Sequence, residues 1–305
     1  MRKVALLLAS LGIMAAAYAE QPKLEVTNVG QEFYIENQAG NYDLDEVSLF
    51  TNVGLKYGDN WTFGLQAGKQ WNVNYGDDHD IVSSNNQSAD RYQLDAWRKI
   101  NDDLKLGFRF RGTDGYDRWY VRYDWKHGML WSAGDIWYQA ENEKNDGRDS
   151  LQFEVFPIGV QYGPVKLGYF VNYVKQMGDV KDTEKEDYWE HQVRAYATLY
   201  KGEKLTLTTE GRFTISAEND YEGSGKETDY GRHYDDFGRI RLYLGADYKV
   251  TENLNVYGKY GYEFREWELE DNNTSKDDYT ENAYQNFVVG WKYTCLLYTS
   301  PSPRD

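Results

Sequence analysis

Cysteine is nearly absent from this chain. The one cysteine, Cys295, opens an eleven-residue tail, CLLYTSPSPRD, which also holds two of the five prolines. The tail matches the in-frame translation of a common transposon-type sequencing adapter, so residues 295–305 are expected to be non-native and are set apart from fold reasoning. Residues 20–294 then hold no cysteine, which excludes a disulfide framework and a thiolate metal site. Histidine is scarce as well: His79, His127, His191 and His233 are all there are. No serine sits in a nucleophile-elbow context, no glycine loop is spaced to cradle phosphate, and Asp77-Asp78-His79-Asp80 does not match a calcium loop. These absences argue against an enzyme and against a bound cofactor or metal. No apolar run beyond residue 19 is long enough to cross a bilayer as a helix.

What is present is charge of one sign and many aromatic rings. The formal net charge is −16, which speaks against nucleic acid as a partner. Aromatic residues make up 16% of the chain, far too many for a disordered acidic polymer. The first residues, MRKVALLLASLGIMAAAYAE, read as a secretory signal. Arg2 and Lys3 precede an apolar stretch from Val4 to Ala17, and Ala17-Tyr18-Ala19 is a cleavage site. Residues 1–19 are therefore expected to be a signal peptide and 20–294 a single exported domain.

Strict apolar–polar alternation recurs along that domain. In Leu104–Arg111, Leu104, Leu106, Phe108 and Phe110 share one face, and Lys105, Gly107, Arg109 and Arg111 the other. Trp119–Trp125 and Ile240–Tyr248 behave alike. Fourteen such segments are expected, at 24–37, 45–57, 60–75, 89–100, 104–113, 116–126, 129–142, 149–161, 165–176, 187–200, 205–218, 235–249, 254–268 and 281–294. Short turns at 58–60, 101–103, 126–128, 163–164, 201–204 and 251–253 alternate with connections that are mostly longer and polar. A soluble β-sandwich also alternates. Segments of ten or more residues, turns and loops in alternation, and aromatics near segment ends (Tyr57, Trp61, Trp189, Tyr200, Trp267, Trp291) instead predict an all-β, antiparallel, up-and-down transmembrane barrel. Lipid tolerates no open sheet edge, so the barrel must close.

Phase assigns the polar face to the interior. The pore-lining candidates are Arg109, Arg111, Arg118, Arg122, Asp124, Arg194, Glu210, Arg212, Arg239, Arg241, Asp247, Glu263 and Arg265, with Asp95 and Glu190 beside them. Opposed charges in a water-filled lumen set a transverse field and a size limit. The same residues also read as wall residues paired along the sheet. His191 falls on the lipid-facing phase. The acidic stretches Asp77–Asp80, Asp179–Glu186 and Asp271–Asp278 read as solvated loops. Phe287, Val289, Trp291 and Tyr293 alternate outward at the end of the last segment, the pattern expected of a C-terminal signal to the barrel-assembly machinery.

Asp236-Phe-Gly-Arg-Ile-Arg-Leu242, Gly245-Ala-Asp-Tyr248, Tyr260-Gly-Tyr-Glu-Phe264 and Val288-Val-Gly-Trp-Lys-Tyr293 together resemble the last three strands of outer-membrane protein G-type porins. Asn101–Leu106 resembles a hairpin of the same family. The resemblance implies a monomeric, fourteen-stranded, non-specific diffusion porin, surrounded by outer-membrane lipid and lipopolysaccharide and passing small hydrophilic solutes. It also implies a histidine pair near the mouth that closes the channel at acid pH. This chain departs there: His233 lies in the expected 219–234 loop, and no second histidine occurs near 266–284. Two alternatives stay open, a channel selective for acidic oligosaccharides and a plugged structural or adhesive barrel.

Overall fold

The computed structural model describes residues 23–38, 45–73, 88–141, 149–177, 185–221, 230–271 and 276–295. The proposed signal peptide, His79, the acidic 77–80 stretch and residues 296–305 lie outside the described residues. Fourteen strands run in chain order: β1 (Leu24–Gln38), β2 (Asp45–Tyr57), β3 (Trp61–Val73), β4 (Ser88–Lys99), β5 (Leu104–Gly112), β6 (Tyr116–His127), β7 (Leu130–Glu141), β8 (Ser150–Tyr162), β9 (Val165–Gln176), β10 (Lys185–Lys201), β11 (Leu205–Tyr221), β12 (Tyr230–Lys249), β13 (Leu254–Asp271) and β14 (Lys276–Thr294). Each pairs antiparallel with its sequence neighbours, and β1 pairs with β14, so the sheet is a closed barrel. No helix occurs among the described residues. The fourteen-stranded architecture expected from alternation is the one observed.

Closure removes the sheet edge, and the outer wall takes the apolar face. Val121, Leu106, Phe108, Ile136, Ile158, Leu167, Leu242 and Leu244 are all exposed on it. A water-soluble sheet would bury such a row; a lipid-facing wall does not. Trp61, Trp189, Tyr200 and Trp291 are exposed on the same surface. Tight turns close one end, where Gly58, Gly128 and Gly163 adopt positive φ of 59°, 59° and 56°. Those φ values suit residues lacking a Cβ.

Two expectations need correction. Residues 177–186, 219–234 and 269–280 are not wholly loops. β11 and β12 pair out to Asn219↔Arg232, and β13 and β14 pair out to Glu270↔Lys276. His233 therefore belongs to β12, opposite Glu218, rather than to a loop. The physical reason is that apolar alternation marks only the stretch of strand that meets lipid. Above it the hydrogen-bond ladder continues with polar residues on both faces, where periodicity carries no signal. β12 has 20 residues and β5 only 9. A crossing needs about 9–11, so the wall is tall on the β10–β14 side and low at β5. An irregularity between His233 and Arg239 interrupts the β12–β13 ladder, and Phe237 within it has φ of 69°. Such bulges bend a strand and re-aim its side chains.

Candidate functional site

The inner face is recognised by ion pairs that skip a strand. Arg122 of β6 reaches Asp95 of β4, Arg239 of β12 reaches Glu190 of β10, and Lys259 of β13 reaches Glu210 of β11. Side chains on next-but-one strands converge in this way on the concave side of a closed sheet.

Glycines let large rings lie flat against this inner wall. Trp97 faces Gly107, Trp131 faces Gly159, Tyr243 faces Gly261 and Tyr257 faces Gly290 across the ladder. A Cβ on Gly159 would lie 2.1 Å from the Trp131 ring, and one on Gly168, on the next strand, 2.6 Å away. Trp131 thus covers two glycines, and its Nε1 donates to the Leu167 carbonyl at 3.1 Å. A cation caps the ring on its other side: Lys166 Nζ lies 3.6 Å from the Trp131 centroid. Arg122 sits over Trp97, Arg194 over Phe170, and both Arg212 and Lys259 over Tyr243. Such stacking fixes the guanidinium and ammonium groups against the wall. Sequence reading placed aromatics at the lipid interface and missed these inner ones. Their signal is an aromatic directly opposite a glycine, legible only once register is known.

The predicted charges fall into two main networks. On β4–β7, Asp95 Oδ1 accepts from Arg109 Nε at 2.7 Å and from Arg122 Nη1 at 2.6 Å. Asp135 Oδ1 accepts from Arg122 Nε at 2.7 Å, and Arg109 Nη1 lies 3.8 Å from Asp135 Oδ2. This four-membered ring carries no net charge. Asp135 was not among the candidates, although counting back from the 128–129 turn places it opposite Arg122. On β10–β13, Arg239 bridges Glu190 and Glu263 at 3.2 Å each, and Arg241 also bonds Glu263. Glu263 is fully buried beneath them. Glu210 holds Arg212 at 2.6 Å and Lys259 at 2.8 Å. Arg194 donates Nε to Gln192 at 2.6 Å. Arg111 and Arg118 meet glutamines, not carboxylates. Asp124 and Asp247 share the inner phase near the turn end of the barrel and are exposed. Arg265 pairs in the ladder with Arg239, and its side chain lies outside the described residues.

Cavities with charged residues in their walls run along this interior. One of about 220 Å³ is lined by Glu154, Glu190, Arg194, Arg212, Arg239 and Glu263. Another of about 340 Å³ lies beside Lys166, Tyr196, Glu210 and Lys259, and a third of about 400 Å³ beside Asn52, Gln66, Asp95, Arg109 and Arg122. Every described residue belongs to a strand, to a connection between strands or to a residue flanking one, so none of them forms a plug. His127 is the last residue of β6, 2.9 Å from Asp103, and His191 lies on the outer wall against the Tyr169 hydroxyl at 2.7 Å. No cluster among the described residues is arranged to hold a metal ion. Phe287, Val289, Trp291 and Tyr293 are exposed on the outer face of β14, beside the closing seam with β1.

No family model matches the sequence, and no curated protein matches it. Solved structures match the fold. A bacterial polysaccharide outer membrane secretin aligns with a TM-score of 0.50 at 10% identity, over 88% of this chain and 98% of that one. OmpT, an outer membrane protein of Vibrio cholerae, aligns with a TM-score of 0.47 at 12% identity, over 91% and 100%. An anion-selective porin from Comamonas acidovorans aligns with a TM-score of 0.42 at 13% identity, over 90% and 100%. At these identities the likeness is one of fold alone. That fold, with its lipid-facing outer wall, is the outer-membrane β-barrel.

Proposed function

We propose that the chain is a passive porin, admitting ions and small hydrophilic solutes by diffusion through a charged lumen. One observation carries the reading. The interior holds ion-paired charges and cavities with charged residues in their walls, with its large rings pressed flat onto glycines of the wall. A dry structural core would interdigitate those rings across the middle instead. The arginines and carboxylates named above then line the path and set its transverse field. Resemblance of the last strands to outer-membrane protein G-type porins supports a monomer, and the exposed Phe287, Val289, Trp291 and Tyr293 on β14 suit recognition by the assembly machinery.

The test is single-channel recording. Residues 20–294, extended by one Phe, are refolded in detergent and placed in a planar bilayer under a salt gradient. Stable conductance steps are expected. A barrel that is β-rich and heat-modifiable on gels yet electrically silent would sink the reading and leave a plugged structural barrel.

A further inference from the structure

Arginines oppose arginines on both sides of the inner wall, but Arg212 and Arg241 each have a glutamate partner, whereas one row on the β4–β7 side has none. Register aligns Gln93, Arg111, Arg118 and Gln139 straight across β4, β5, β6 and β7. Two arginines stand directly opposite each other, an arrangement that costs stability in a sheet. In the rows below, Arg109 is opposite Asp95 and Arg122 opposite Asp135, so charge cancels. Here the flanking positions hold amides. Arg111 Nε donates to Gln93 Oε1 at 2.9 Å, and Arg118 Nε donates to Gln139 Oε1 at 2.5 Å. Each guanidinium is oriented through Nε without being neutralised, which leaves its terminal Nη groups for another acceptor.

A third arginine joins them. Arg91 lies one inner position beyond Gln93 on β4, packed over the Phe50 ring at 4.7 Å, and its buried Nε has no hydrogen-bond partner among the described residues. Arg118 rests on Tyr116 at 4.2 Å and Arg111 on Tyr120 at 5.7 Å, so all three are held by aromatic faces. None of the three makes an ion pair with a carboxylate among the described residues. Their place is the loop end of the low wall, where β5 and β6 are joined by the short 113–115 connection. An entering solute meets this row before the neutral Asp95–Arg109–Arg122–Asp135 ring.

We infer that Arg91, Arg111 and Arg118 form an oxyanion-binding site at the loop end of the lumen, for a carboxylate or phosphate group of a passing solute. Planar guanidinium groups with free Nη donors match such oxyanions two bonds at a time. The aromatic supports hold that geometry before the ligand arrives, and the ligand supplies the directly bonded carboxylate or phosphate oxygen that the row lacks. The inference rests on the porin reading, which it narrows from any small solute to a preference for anionic ones.

The experiment adds inorganic phosphate or glucuronate to the loop side of the conducting barrel and follows block of the current. Saturable block by at least one of them is expected, and the one acting at lower concentration identifies the preferred oxyanion. In the folded Arg111→Gln/Arg118→Gln variant the half-blocking concentration should rise at least about tenfold, the loss expected for charge-assisted bonds. Lys105→Gln, which removes an inner-face charge at the turn end, should leave it within about twofold. A conducting wild type that neither anion blocks overturns the inference. So does equal weakening by Lys105→Gln, which would reveal a diffuse field and no site. A silent barrel is tested by calorimetric titration with the same two anions: binding retains the site and sinks only the porin reading, and absence of heat sinks the site as well.

Discussion

Gly159→Ala tests whether flat-lying rings keep the lumen open. The new Cβ would lie 2.1 Å from Trp131 Cε2, 2.3 Å from Nε1 and 2.4 Å from Cζ2. Ordinary contact needs about 3.4 Å or more between carbon atoms, so the ring must retreat by more than an ångström. The ring already lies over Gly168 as well, with the Phe156 ring beside it. The expected response is to lift inward, carrying Lys166 with it and breaking the 3.1 Å bond from Nε1 to Leu167. Overpacking costs about 1–3 kcal/mol and the lost hydrogen bond about 1 kcal/mol. The expected destabilisation is therefore roughly 2–4 kcal/mol, accompanied by lower conductance as indole and ammonium enter the path. Urea unfolding followed by tryptophan fluorescence reads the first effect, and bilayer recording the second. The decisive control is the double-mutant cycle: on a Trp131→Ala background Gly159→Ala should cost less than about 0.5 kcal/mol. A full cost on that background, or no cost in the parent, would refute the stacking argument.

Two further outcomes follow from the wall and its charges. Val121, at mid-strand in β6 and 66% exposed, faces lipid, so Val121→Arg should destabilise the barrel by about 2–4 kcal/mol and lower the yield of heat-modifiable protein; tolerance of Arg there would argue against a membrane-facing wall. Glu263→Ala leaves Arg239 and Arg241 without the buried carboxylate between them. Because Arg239 retains some exposure, a loss of about 2–3 kcal/mol is expected, below the full cost of a broken buried pair. Glu263→Gln, which keeps an acceptor, should lose less in the same urea titration.

Much of the barrel was legible in the sequence for a simple reason. Where lipid touches one face and water the other, every second residue must change character, so Leu104–Arg111 and Trp119–Trp125 announce both strand and facing. Tight turns such as the one at Gly128 also carry register, from which Asp135 opposite Arg122 follows by counting. The signal fails where both faces meet water. The upper parts of β11 to β14 were read as loops, and His233 with them, because hydrogen-bond pairing there leaves no apolar trace.

Facing could be read for each strand alone, and so the inner arginines could be named. Their individual roles could not. Arg109, Arg111, Arg118 and Arg122 look alike in the chain, each on the polar phase of a strand. Only the closed sheet sets two of them against aspartates and two against glutamines, and only the concave wall brings Arg122 of β6 to Asp95 of β4. The same holds for Trp131, whose glycine partners stand 28 and 37 residues away in sequence. Alternation is a property of one strand in its solvent, so the sequence by itself determined the barrel and its two faces. Neutrality, stacking and free donors are properties of neighbouring strands in register, and tertiary structure alone decided them.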